Sequence, residues 1–326
     1  MNRTKKIVIG ALLFVLILAM FAGCNQKPAE KIELRIGALK GPTALGMLQL
    51  MEKAEAKTTA NQYSFTLAGA PEEISAKMIS GDLDIAAIPA NLAAVLYNKT
   101  EGKVKMAAIN TLGVLYILEN GDTVQSVEDL RGKTIYTSGQ ASTPEYVLNY
   151  ILTSNGLIPG EDVQIVYKSE HAEVATLMAA GQIDLAMLPQ PFVTTVLQKS
   201  ETARLALDMT KEWEAVAPAG GSLVMGCLAV RSDFYEANKI AVDAFLAEYA
   251  ASVAYTNENV DAAAALSAKY DVIPEAVAKE AIPFCNIVYI DGDEMVEKAG
   301  SCLQVLFDAD ANSVGGKLPG NELYIK

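Results

Sequence analysis

The chain has 326 residues, with 26 Lys and Arg against 39 Asp and Glu and a formal charge of −13. Beyond the first six residues it carries no cluster of basic side chains, so a polyanion meets only repulsion and nucleic acid is excluded as a partner. The length accommodates two lobes of ordinary domain size.

Arg3, Lys5 and Lys6 precede an apolar run from Ile7 to Ala22, then Gly23 and Cys24, which is the layout of a secretory signal peptide over residues 1–23. Phe21-Ala22-Gly23-Cys24 resembles a bacterial lipobox, which implies lipidation at Cys24; an uncleaved membrane anchor is the alternative. Either places the body at the extracytoplasmic face of the cell membrane, the lipid holding through about 0.8 kcal/mol per buried methylene. Residues 24–31 then form a polar tether. Loss of residues 1–23 removes three positive charges and takes the balance from −13 to −16.

Ile32-Glu33-Leu34-Arg35-Ile36-Gly37 alternates apolar and polar like a half-buried strand. It leads through Lys40-Gly41-Pro42-Thr43 into a helix ending near Lys57, with Thr43 as the expected N-cap. Pro71-Glu72-Glu73 opens a short helix into a twelve-residue pattern, Met78 to Pro89, that recurs a hundred positions later as Met178 to Pro189. Each copy reads as a helix end, a glycine at the left-handed position (Gly81, Gly181), a short apolar strand and a terminating proline. The duplication implies two lobes of one design. Asp84 and Asp184 precede the strand in both copies and read as structural.

Val104 to Leu118 predicts a long strand crossing between the lobes. Ser126 to Lys133 reads as a helical turn before the strand Thr134–Thr137, which delivers the loop Ser138 to Glu145. Ser142 and Glu145 have capping-box spacing ahead of a helix through Val147, Leu148, Ile151 and Leu152. Asn155-Gly156 ends that helix, a strand follows over Asp162–Tyr167, and a helix through Val174, Leu177 and Met178 enters the second copy. Gly220 to Val230 predicts the returning crossing strand. From Ser232 the chain is mostly helical: Ile240, Phe245, Tyr249 and Val253 mark one long helix, three more follow over 260–270, 274–282 and 293–306, and Gly315–Gly320 is a loop.

The lipobox, Lys40-Gly41-Pro42-Thr43, the repeated Gly-x-x-Asp with its terminal proline, the Ser142-Thr143-Pro144 helix start and Asn155-Gly156-Leu157 together resemble the substrate-binding proteins of bacterial ABC importers. The nearest branch looks like the type II binding proteins for nitrate, sulfonates, taurine and thiamine-precursor pyrimidines. The resemblance implies an α/β, two-lobed type II periplasmic-binding-protein fold, with two crossing strands and a ligand cleft between the lobes. Lobe one would comprise residues 32–114 plus 228–326 and lobe two residues 115–227. It implies delivery of a small-molecule solute to an ABC permease and its ATPase. The chain is expected to be a monomer without a cofactor, and the cysteine spacing matches no zinc pattern and His171 is the one histidine, so no metal is expected.

In open α/β sheets ligands sit beyond the carboxyl ends of the strands, so the strand-end loops supply the candidate ligand-binding residues. They are Lys40, Gly41, Pro42, Thr43, Pro89 and Asn91 in lobe one, and Ser138, Gly139, Gln140, Ser142, Thr143, Gln190 and Pro191 in lobe two. Thr43 and Ser142 serve either as caps alone or as caps that also touch the ligand. These loops contain no arginine, so bidentate recognition of a phosphate or dicarboxylate is missing, and a neutral or weakly anionic ligand fits better. Tyr116 and Tyr146 either stack on a ligand ring or pack in the core, and Trp213 packs.

An enzyme is the rival class. Against it, the chain has no Gly-x-Ser-x-Gly elbow, phosphate loop or His-Glu-x-x-His. Its one histidine, His171, is expected to be a solvated side chain at a helix start. A ligand-binding lipoprotein feeding a sensor or receptor is the second rival. Of the three cysteines beyond Cys24, Cys285 and Cys302 either pair or, with Cys227, stay buried as free thiols.

Overall fold

The computed structural model describes residues 31–140, 142–218 and 221–325. The expected signal peptide, Cys24, nearly all of the tether and Gly220 lie outside the described residues. From Glu33 onward the chain is one compact unit. Its strands are β1 (Glu33–Leu39), β2 (Gln62–Ala68), β3 (Ile85–Pro89), β4 (Val104–Leu112), β5 (Leu115–Asn120) and β6 (Thr134–Ser138), then β7 (Gln164–Lys168), β8 (Leu185–Pro189), β9 (Ala203–Asp208), β10 (Val224–Arg231) and β11 (Ile287–Ile290).

They form two sheets, ordered β11-β4-β10-β3-β1-β2 and β7-β6-β8-β5-β9. In the first, β1 runs parallel to β2 and β3, and β10 is antiparallel to β3 and β4. In the second, β6 runs parallel to β7 and β8, and β5 is antiparallel to β8 and β9. The two copies of the duplicated pattern therefore belong to separate sheets of one plan. Helix Pro71–Ser80 ends at left-handed Gly81 before β3, and helix His171–Ala179 ends ahead of left-handed Gly181 before β8.

The short apolar runs become strands because both their faces are covered. In β3, Ile85 and Ala87 belong to the cluster that holds Phe245 and Tyr249 of helix Lys239–Glu258, while Ala86 and Ile88 face the cluster holding Ile74 and Met78. In β8, Leu185 and Met187 join that second cluster and Ala186 and Leu188 face Val174 and Val193. One core runs through both sheets, from Met106 and Leu303 to Leu148 and Trp213. Truncating a fully buried Phe245 to alanine would cost about 3–5 kcal/mol.

The expected long crossing strand is broken: β4 stops at Leu112 and β5 starts at Leu115 in the other sheet. Gly113 sits at the break because a Cβ there would lie 2.0 Å from Thr210 Oγ1. The returning strand is also shorter than expected. β10 enters the first sheet only at Val224, four residues ahead of the expected crossing at 227/228, and residues 221–223 carry no regular structure.

β2, β9 and β11 add to the strands expected from the sequence, although Tyr63, Phe65 and Leu67 alternate in β2 and Leu205 and Leu207 in β9. Ile240 is 87% exposed although Ala241 and Val242 after it are buried, so it lies on the solvent side of its helix and does not belong to the packed face. Cys227, Cys285 and Cys302 are buried free thiols. Burial pushes the Cys302 thiol up to about 11, and its sulfur donates to the Val224 carbonyl at 3.7 Å. Among the described residues no helix is long and apolar enough to cross a membrane.

Candidate functional site

The carboxyl ends of β1, β3, β6 and β8 converge from the two sheets on a cleft of about 470 Å³. Pro42 and Thr43 reach it from the turn after β1, which Gly41 makes at φ 121°. Pro89, Asn91 and Leu92 line it where β3 passes into helix Ala90–Lys99. From the second sheet come Gly139, Ser142, Thr143 and Pro144 after β6, His171 at the start of its helix, and Pro189 and Gln190 at the end of β8. Thr111, Val114 and Met225 floor it where the chain passes between sheets, and Pro71 closes one side. Five lining residues are prolines and none is lysine or arginine. Several of the others sit in first helical turns, where amide groups lack intrahelical partners and favour acceptor or anionic atoms.

A sheet pair of this topology, gripping a cleft at the strand ends, has close counterparts among solved structures. An ABC transporter protein from Parabacteroides distasonis superposes with a TM-score of 0.76 at 20% identity, covering 90% of this chain and 98% of that one. The periplasmic aliphatic sulphonate binding protein SsuA from Escherichia coli gives 0.69 at 16% identity, over 89% and 97%. The periplasmic nitrate-binding protein NrtA from Synechocystis gives 0.59 at 14% identity, over 87% and 84%. At such identities the likeness shows the fold alone. No protein of curated function matches the sequence. The family model described as "ABC transporter, phosphonate, periplasmic substrate-binding protein" matches residues 49–251.

The chain belongs to that family. As a periplasmic substrate-binding protein of an ABC transporter it is extracytoplasmic, and its relatives are transport proteins that bind small solutes.

Of the residues expected at the site of this binding protein, Pro42, Thr43, Pro89, Asn91, Gly139, Ser142, Thr143 and Gln190 line the cleft. Lys40, Gly41, Ser138, Gln140 and Pro191 do not. Lys40 turns outward into an ion pair with Asp271, Gln140 is exposed, and Pro191 begins the helix Phe192–Lys199 after a cis peptide bond with Gln190. Ser138 lies 2% exposed behind the wall.

The capping roles expected of Thr43 and Ser142 are not made. Gly41 holds the N-cap position ahead of Thr43, whose Oγ1 donates to the Leu39 carbonyl at 3.1 Å. Ser142 occupies the N-cap position, but its hydroxyl donates to the Gly139 carbonyl at 2.6 Å. In both loops the hydroxyl closes the turn, Thr43 onto the last residue of β1 and Ser142 onto the residue that follows β6. Tyr116 and Tyr146 pack instead of stacking in the cleft, donating to the Phe284 carbonyl at 2.8 Å and to Asp310 Oδ2 at 3.0 Å.

His171 corrects the expectation of a solvated side chain. It lines the cleft, with Nδ1 2.6 Å from Ser138 Oγ and its ring centroid 5.5 Å from that of Phe192. Burial holds its pKa below the ordinary histidine value, favouring the neutral ring. Its position matches Pro71, the first residue of the equivalent helix in the other lobe, and that was the signal available in the sequence. Gln190, 3% exposed, accepts through Oε1 from the Thr194 hydroxyl at 2.9 Å and amide at 3.3 Å. Among the described residues neither Gln190 Nε2 nor His171 Nε2 has a hydrogen-bond partner, so both remain for a solute.

Proposed function

We propose that this binding protein captures a small, neutral or weakly anionic solute that is apolar over most of its surface. Closure of residues 32–114 plus 228–326 on residues 115–227 would enclose it for delivery to an ABC permease and its ATPase. The observation that carries the reading is the cleft wall: prolines with Leu92, Val114 and Met225, no cationic side chain, and two unengaged nitrogens on Gln190 and His171. The Ser138 hydroxyl has no other acceptor among the described residues, so we assign it as donor to Nδ1. The proton then sits on Nε2, which donates to the solute. A phosphonate dianion would enter this cleft with helix-end amides and neutral donors but no guanidinium or ammonium.

A thermal-shift screen of phosphonates, alkylsulfonates, nitrate and pyrimidines tests the reading. A true ligand at a hundred times its Kd adds about 2.7 kcal/mol of stability. Midpoints raised by neutral or singly charged compounds support it, and a response confined to dianionic phosphonates overturns it.

The Ser138–His171 pair is the one feature that favours an enzyme on the same fold. Because Ser138 is 2% exposed, we read its hydroxyl as orienting the imidazole and not as a nucleophile, and we propose binding without turnover. Product analysis after incubation with the identified ligand tests this. We also propose a monomer anchored by lipid on Cys24, which mass spectrometry of the N-terminal peptide and light scattering check. Delivery to a sensor instead of a permease is the alternative output.

A further inference from the structure

The duplication lets the lobes be aligned residue by residue. Gly37 and Val230 lie beside Ala86 and Ile85 in the first sheet, as Tyr136 and Glu119 lie beside Ala186 and Leu185 in the second. Arg35, Asp84 and Arg231 therefore correspond to Thr134, Asp184 and Asn120. Matching backbone bonds agree: Arg231 N donates to Asp84 O at 3.0 Å and Asn120 N to Asp184 O at 2.8 Å.

In the first lobe the Asp84 carboxylate is buried and takes Arg35 N at 2.9 Å, Nε at 2.9 Å and Nη2 at 2.6 Å, with Arg231 Nη1 at 3.6 Å. Arg231 Nη1 also donates to the Gly81 carbonyl at the helix end. In the second lobe Asn120 takes over that helix-end task, donating to Met178 O at 3.1 Å and Ile183 O at 2.9 Å. No guanidinium takes the other. Thr134 is too short to span Asp184, whose carboxylate is exposed and makes no hydrogen bond or ion pair among the described residues.

The space so left is a cavity of about 660 Å³ lined by Glu119, Lys133, Thr134, Tyr136, Gln182 and Asp184, among others. Of its basic neighbours, Arg204 is committed to Glu119 and Lys133 to the Thr123 hydroxyl. Arg204 Nη2 donates to Glu119 Oε2 at 2.6 Å, and Lys133 Nζ donates at 2.7 Å to Thr123 Oγ1, which itself donates to Glu119 Oε1 at 2.6 Å. Among the described residues the Asp184 carboxylate has no cationic partner. The cavity lies where β6 and β8 begin, whereas the solute cleft lies where they end.

We propose that this cavity binds a guanidinium group, which pairs with Asp184 and stacks on Tyr136, restoring from outside the arrangement that Arg35 makes within the first lobe. The group belongs either to a small guanidino compound or to an arginine of a partner protein.

Calorimetry on the full-length protein in detergent tests this with L-argininamide, L-lysinamide as the control of equal charge, and a capped Gly-Arg-Gly peptide. We expect argininamide or the peptide to bind with Kd below about 1 mM, at least tenfold tighter than lysinamide. Asp184→Asn should abolish that binding at an unchanged melting midpoint. Thr134→Arg should abolish it while raising the midpoint, because it supplies the guanidinium internally. Binding of argininamide assigns a small guanidino ligand, and binding of the peptide alone assigns a partner's arginine. Equal affinity for argininamide and lysinamide, no binding of either guanidinium probe, or undiminished binding in Asp184→Asn overturns the proposal, and that last comparison stands even if Thr134→Arg fails to fold.

Discussion

The duplicated aspartates offer a controlled stability experiment, because Asp84 and Asp184 hold one position in two copies of the same motif but have different surroundings. Asp84 is 1% exposed and accepts three bonds from Arg35, one of them from its backbone amide. Asp84→Asn keeps the shape but replaces one accepting oxygen by a donor that faces a guanidinium. A bond to a charged group contributes about 1.5–3 kcal/mol and a buried donor left unpaired costs a similar amount. Arg35 is 40% exposed, so solvent screens its share. The expected loss is about 2–3 kcal/mol, roughly 5 °C or more in melting midpoint for a chain of this size. Asp184→Asn, on an exposed side chain without partners among the described residues, should stay within about 0.5 kcal/mol. Urea unfolding followed by circular dichroism, with m compared among the three proteins, measures both. Equal losses at the two positions would refute the reasoning, since the difference rests wholly on tertiary partners.

Three other outcomes are expected. His171 is the only histidine, and burial lowers its pKa, so the unfolded chain takes up this proton at higher pH than the folded one. Its contribution is intact above the ordinary value of about 6.5 and is lost as pH falls below it toward the folded pKa. Melting midpoints from pH 7.5 to 5.5 should decline in the natural protein, and His171→Gln should flatten that decline. Gln190→Leu removes the acceptor for Thr194 and the donor facing the cleft. It should cost about 1–3 kcal/mol in stability, by denaturant titration, and about tenfold in solute affinity, by calorimetry. Thr43→Ala together with Ser142→Ala should weaken solute binding more than it lowers the melting midpoint, and an unchanged affinity would remove both hydroxyls from the site.

The sequence by itself determined the plan of two matching lobes, the order of most elements, the glycine-ended helices, and which loops meet at the cleft. Those features follow from local physics: apolar periodicity, left-handed glycines and prolines that stop strands act over a few residues and leave their mark in the chain. Eight of the thirteen loop residues expected at the site line the cleft for that reason. What each polar atom has left to offer depends on partners far away in sequence, and only the tertiary structure decided that. It turned Lys40 away to Asp271, spent the Thr43 and Ser142 donors on carbonyls, and drew His171 onto Ser138. It also gave Asp84 two arginines while leaving Asp184 bare, although the two aspartates stand in the same motif.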